Sequence, residues 1–396
     1  TDHQRFRWVH DKIREAATKL IPESEQCSYM QEVGQTLLQE LSVEELDSIF
    51  FVVVDLLNFS PIDDLDLRER QELSNLNLTA AKKAHKLSSF ESAAKYAGHG
   101  IKLLRNCAWS TDHEKVSLEL YTIGAKAEGF FGNLKAMEDY CKAVIAQDNI
   151  PLPNKLVVYS TWVEGMSDRS RIPEASALTL EVLSKFNCGF PTSRVIAKAD
   201  IIANIFTIKT KLKSRDPGKL PMMKDDTKVE LMRLLDQLTT FFYVMNDGRM
   251  PLTIFRSLMW TFKYGVCIYS APAFATTGMI LTGVLHDIQG GAAFGQHALT
   301  LMNKASSNLT TSRTMFLVYT FLFSWARPIR DGLKRLVQAY DLGFQTGDTE
   351  SALFAIYQWL VFKFLLGTSL ESLQADIELY LRQMKDLKKA QIAKRT

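Results

Sequence analysis

The stretch YGVCIYSAPAFATTGMILTGVLHDIQGGAAFGQHALTLM, residues 264–302, decides the fold. It reads as two helices folded against each other with small residues where they touch. Leu281, Leu285 and Ile288 supply the first helix with an apolar stripe at helical spacing. Gly278, Gly283, Gly291 and Gly295 each cost about 1 kcal/mol of helix propensity, so their presence predicts a tight backbone crossing. In the second helix Ala292, Gly295, Ala298 and Leu299 are small or apolar on one side. Pro272 predicts a break or kink in its own segment.

Outward from this hairpin the same period recurs. FFVVVDLL at 50–57 is strand-like in composition, since β-branched residues dominate it. Its spacing overrules that: Leu46, Ile49, Phe50, Val53, Val54 and Leu57 lie on one helical face, and Ser42 with Glu45 forms a capping-box pattern ahead of it. Val116, Leu120, Ile123 and Ala127 make another stripe, and Leu353, Ile356, Tyr357, Leu360, Val361 and Phe364 a further one. Strand signals are nearly absent, and most prolines fall between striped segments. At the start, Arg5–Val9 suits a short strand and Ile13, Ala16, Ala17, Leu20 and Ile21 a helix ending at Pro22, which fits the first turn of the next helix. Turns followed by helices of aromatic and small residues recur at 88–104, 132–146, 172–183, 286–302 and 347–360. The first three begin about 40 residues apart, longer than the roughly 34 of a standard tetratricopeptide unit. Between 192 and 250 the pattern loosens, and KSRDPGKLPMMKDDTK, 213–228, is the candidate internal loop or joint.

Composition excludes more than it selects. The 396 residues are 46% hydrophobic and 23% charged, with 47 basic against 44 acidic side chains and a net charge of +3, so disorder is excluded and neither nucleic acid nor a membrane surface is implied. Five dispersed cysteines without CxxC spacing argue against a disulfide framework or a zinc site and suit a reducing, cytoplasmic setting. The longest apolar runs, 49–57 and 352–366, are shorter than a membrane span and are interrupted by Asp55 and Lys363. Asn77-Leu-Thr79 and Asn308-Leu-Thr310 match glycosylation sequons and read as chance.

Two stretches carry a family resemblance. FRWVHDKIREAATKLIP at 6–22 resembles the end of the winged-helix domain of STAND-class signalling ATPases. From NLNLTAAKKAHKLSSFESAAKYAGHGIKLL at 75–104 onward, the chain resembles the tetratricopeptide-like helical region that follows the ATPase module of large multi-domain serine/threonine and hybrid histidine kinases. The segments 220–235, 264–299 and 339–360 follow in the same order. The resemblance implies an all-α, tetratricopeptide-like α-solenoid of helical hairpins. It divides the chain into a winged-helix tail at 1–21, a repeat domain at 22–384 and a basic linker at 385–396. The chain begins without an initiator Met and looks cut from something longer. In the family a His-Asp pair senses nucleotide, the imidazole lying near the β-phosphate of bound ADP. The match is His10-Asp11, preceded by Val9 where the family commonly has Met. No GxxxxGK[ST] phosphate loop occurs, so His10 would be half of a nucleotide site, and local capping or packing is the alternative.

Other candidates for chemistry read as structural. His286-Asp287 sits at the central hairpin's turn, where capping is favoured over an acid–base pair because adjacent helical residues diverge by about 100°. His113 beside Asp112 and His3 beside Asp2 carry weaker signals, and none of the seven histidines has metal-ligand spacing. Lys82, Lys83, His85 and Lys86, the lysines of 209–219 and the basic residues of 385–395 read as solvated faces. Trp260, Phe262, Tyr264 and Tyr269 read as core, with a ligand groove as the alternative. The resulting expectation is a non-catalytic regulatory scaffold without a cofactor, whose partners are proteins or neighbouring domains of the same polypeptide. The alternative is a solenoid whose concave groove senses a small ligand or peptide.

Overall fold

The computed structural model describes residues 20–168, 171–191 and 193–386. Among them are eighteen α-helices and three short 3-10 turns, and the nearest approach to a strand is an isolated bridge between Met222 and Val266. The fold is all-α and built of helical hairpins, in two compact units, Thr1–Ser170 and Arg171–Thr396. The expected strand and helix before residue 20, His10 among them, lie outside the described residues, as does the basic end beyond 386.

The first unit contains α1 (Glu23–Glu40), α2 (Val43–Leu57), α3 (Leu67–Lys86), α4 (Phe90–Leu104), α5 (Glu114–Phe131), α6 (Leu134–Ile145) and α7 (Leu152–Asp168). Each packs on the next, and α5 also packs on both α3 and α7, the every-second-helix contact of a hairpin stack. The capping box at α2 forms as its spacing predicts: the Glu45 backbone N–H donates to Ser42 Oγ and the Ser42 backbone N–H to Glu45 Oε2. Asp66 and Glu69 repeat it at α3. Phe50, Val53, Val54 and Leu57 bury the α2 face, while Val52 on the far side is exposed, so helical period decides over β propensity. Phe50 and Val54 pack with Ala80, Ala84, Tyr96, Ala97, Leu104 and Leu120 from the three following helices. Asn77 lies fully buried and exchanges amide hydrogen bonds with Asn58 at 2.8 and 3.0 Å, so its sequon is out of reach of modification.

The second unit contains α8 (Ile172–Lys185), α9 (Arg194–Ser214), α10 (Asp226–Val244), α11 (Met250–Tyr264), α12 (Ser270–Gly283), α13 (Ile288–Ala305), α14 (Thr311–Phe321), α15 (Phe323–Ala326), α16 (Leu333–Thr346), α17 (Thr349–Leu365) and α18 (Leu370–Asp386). The opening stretch forms the hairpin α12–α13. Backbones meet at Gly278 and Gly291: a Cβ on either would lie 3.0 Å from the other's carbonyl oxygen, and one on Gly291 would also overlap Thr282 Oγ1. Gly295 sits equally close to Phe323 and Leu322, whereas Gly283 faces open space and takes no part in the crossing. Gly278→Ala is therefore expected to lose about 1–3 kcal/mol of stability in urea unfolding despite alanine's better helix propensity, and Gly283→Ala to be neutral or slightly stabilising.

Several expectations need correction. Leu285 and Ile288 do not continue the first stripe; α12 ends at Gly283 and both side chains are substantially exposed at the turn. Pro272 does not kink a helix: it occupies the first turn of α12, where its missing N–H is no loss, and the break lies upstream at 265–269. Of the five repeated segments, four are second helices of hairpins (α4, α6, α13, α17), but 172–183 belongs to α8, which packs on α10. In α17 Phe362, not Phe364, is buried. Of the two readings of 213–228, the stretch does include an internal loop, which lies inside the second unit. Two backbone bonds pin that loop, Met223 N–H to Val266 O and Val266 N–H to Pro221 O, both 2.8 Å.

Candidate functional site

Helix α9 carries apolar residues on two sides. Ala197, Ile201, Ile205 and Ile208 recur at intervals of three or four, and Ile201, Ile205 and Ile208 join the core shared with α11. Val195, Ile202 and Phe206 lie on the other side, exposed. Along the edge of the packed face, Asp200 and Asn204 stand one turn apart. Opposite them Leu252, Arg256, Met259 and Trp260 recur at three- and four-residue intervals on one face of α11. With Phe190 and Pro191 they enclose a groove of about 190 Å³ in the second unit.

Arg256 lines this groove, held by a carbonyl, a ring face and the Cys188 thiol, none of which carries a counter-charge. Its Nη2 donates to the Gly189 carbonyl at 3.3 Å and its guanidinium lies 4.7 Å from the Phe190 ring centre. Beside it the buried Cys188 thiol is pushed up by desolvation, the Arg256 charge working against that rise. Asn204 Nδ2 donates to the Asp200 carbonyl at 2.7 Å, which leaves its Oδ1 as an acceptor. Trp260 packs edge-on to Tyr264 at 5.8 Å, and its indole N–H has no hydrogen-bond partner among the described residues.

A second polar cluster ties α10 to α14. Arg313 Nη1 lies 2.7 Å from Asp236 Oδ2, and Arg313 Nη2 donates to Thr240 Oγ1 at 3.1 Å. Desolvation raises the Asp236 carboxyl above its ordinary range, Arg313 opposing and Asp348 adding to the rise. Tyr269 and Cys267 face this carboxyl, and burial pushes both upward.

The other sequence candidates fall into structural roles. Asp287 caps α13, its carboxylate accepting from the Gly290 N–H at 2.8 Å, while His286 takes a left-handed backbone at the turn. His113 shares a 2.6 Å hydrogen bond with Gln71. His85, His99 and His297 are lowered chiefly by burial. Lys82 pairs with Glu119 and Lys83 with Asp47, so the first basic cluster is a paired, solvent-facing surface. Phe262 is core, and Trp260 lines the groove. Among the described residues no group of three or more His, Cys, Asp or Glu could hold a metal ion, and no helix is long and apolar enough to cross a membrane. Asp200 and Arg256 carry no signal in the sequence: they are charged residues on separate helices, and only the packing of α9 on α11 brings them to one groove.

No family model matches the chain. It is similar to hybrid signal transduction histidine kinase G of Dictyostelium discoideum, at 21% identity over 418 aligned positions. That alignment takes in 93% of this chain, which spans only 12% of that relative's length. Among solved structures it is similar to a signal transduction ATPase with numerous domains (STAND) protein with a tetratricopeptide repeat sensor, from Pyrococcus horikoshii. There the identity is 12% and the TM-score 0.34, with 99% of this chain and 68% of that one covered, a likeness too slight to bear on the fold.

Proposed function

We propose that this chain is a non-catalytic helical-repeat segment of a larger signal-transduction ATPase/kinase in the cytoplasm, where it holds other proteins or neighbouring domains and relays their state. The observation that carries this reading is the stacking of hairpins in chain order, which leaves helix edges and turns such as Phe130, Phe131, Val195, Ile202 and Phe206 exposed for partners. The extended likeness to a hybrid histidine kinase supports the signalling context. On this reading 1–21 is the tail of a winged helix, 22–384 the repeat domain and 385–396 a linker, and His10 senses the nucleotide of an ATPase module that precedes it. Nucleic acid and membrane are not partners.

The test has two arms. Titrated with ADP or ATP, with and without Mg²⁺, this chain is expected to show no rise in melting temperature, because the phosphate-binding half of the site lies elsewhere. In the longer polypeptide that the reading requires, His10→Ala is expected to weaken the difference between ADP- and ATP-bound states. A saturable shift in the first arm, or an unchanged response in the second, would overturn the nucleotide relay.

A second reading, a solenoid that senses a small ligand or peptide, is favoured by one observation: Trp260, on an aromatic-dense stretch of α11, lines a groove together with two charged side chains.

A further inference from the structure

The groove between α9 and α11 holds two opposite charges that do not pair. Asp200 and Arg256 both line it, yet neither forms a salt bridge with the other or with any described residue. The Arg256 guanidinium is met by a carbonyl, a ring face and the Cys188 thiol, none of which cancels its charge. Leu252, Met259 and Trp260 supply an apolar wall beside the charges.

This pattern selects a ligand. A simple carboxylate would satisfy Arg256 and be repelled by Asp200; a simple amine would do the reverse. A molecule carrying both charges, with an apolar body, meets all three features. Size narrows it further. An apolar cavity of about 150 Å³ takes one benzene, so a groove of about 190 Å³ takes something slightly larger and has no room for a nucleotide.

We propose that the groove binds a free α-amino acid of about leucine's size as its zwitterion. The carboxylate sits on the Arg256 fork, whose parallel N–H groups match two carboxylate oxygens. The ammonium donates to the Asp200 carboxylate and to Asn204 Oδ1. The side chain lies against Leu252, Met259 and Trp260 and removes apolar surface from water. This inference rests on the second reading above, that the groove is a ligand site.

The test is a titration of the whole chain with L-leucine, 4-methylpentanoate and isoamylamine, following the Trp260 indole N–H by NMR, assigned by its loss in Trp260→Phe. L-leucine is expected to shift that signal saturably, and the two single-charge analogues to bind at least tenfold more weakly. Arg256→Met, which keeps an apolar stem beside Phe190, and Asp200→Asn, a change on an exposed side chain, are each expected to weaken L-leucine binding roughly tenfold to hundredfold, the range of a charge-assisted hydrogen bond. Equal binding of 4-methylpentanoate and L-leucine, or unchanged binding by Asp200→Asn, would overturn the zwitterion while leaving a ligand groove. No response of Trp260 to any of the three would overturn both.

Discussion

Phe274→Ala is expected to destabilise the second unit by about 3–5 kcal/mol. Phe274 is fully buried on α12, its ring centre 5.7 Å from Phe294 on α13 and 6.0 Å from Phe262 on α11, with His297 edge-on at 6.3 Å. Truncation removes the transfer free energy of the ring and the aromatic pairings, each worth about 0.5–1.5 kcal/mol beyond burial. It also leaves a cavity that cannot collapse, because Gly278 and Gly291 already hold α12 and α13 at backbone contact. Water admitted beside His297 would relieve the desolvation that lowers its imidazole, so its titration is expected to move back up towards about 6.5. Urea unfolding and imidazole NMR read the two effects. Phe206→Ala, the same change at an exposed position of α9, is expected to stay within about 0.5 kcal/mol. A loss below about 1 kcal/mol for Phe274→Ala would mean that the three helices do not share this core.

Why the crossing at Gly278 is legible in the sequence while the end of α12 is not follows from burial. Where one helix face meets water, as in α2, alternation of Val52 with Val53 and Val54 marks the face, and Ser42 with Glu45 marks the start. Helix α12 is buried on nearly every side, so no polar face exists against which a stripe can be read, and the spacing of Leu285 and Ile288 extends the apolar pattern past the helix end at Gly283. The glycines themselves were a sound signal for the crossing, since only a close approach offsets their propensity cost, but spacing could not separate Gly283 from Gly278. The segment at 172–183 has a hairpin's composition and yet α8 packs on α10, because composition states which side is apolar and not which helix covers it. The groove was half legible. Aromatic density pointed to Trp260, whereas Asp200 and Arg256 carry no motif and meet only through the packing of α9 on α11.

Arg313→Met is expected to cost about 2–4 kcal/mol at neutral pH, because it leaves the Asp236 carboxylate without its counter-charge. Breaking a fully buried pair costs about 3–5 kcal/mol. Here the Asp236 and Arg313 side chains retain 16% and 25% exposure, which lowers the figure. The pair joins helices distant in sequence, so its loss loosens α14 against α10 without touching either helix's own hydrogen bonds. The pH dependence gives the sharper test. Burial already raises the Asp236 carboxyl above its unfolded value, and Asp348 acts in the same direction; removing Arg313 takes away the opposing charge and raises it further. A carboxyl raised in the folded state binds more protons there than in the unfolded chain, so its contribution is most favourable below about pH 4 and is lost as pH rises through the folded value. Cys267 and Tyr269, the other titratable groups facing Asp236, are themselves pushed upward and stay protonated through this window. The stability gap between the parent and Arg313→Met is therefore expected to be small near pH 5 and to widen towards pH 8 in urea unfolding. Adding Asp236→Asn to the variant removes the stranded charge and is expected to flatten that slope, even if the lost packing keeps the double variant below the parent. A gap that stays constant with pH would mean that the carboxylate is solvated without Arg313, and that the contact is an ordinary surface ion pair worth at most about 1 kcal/mol.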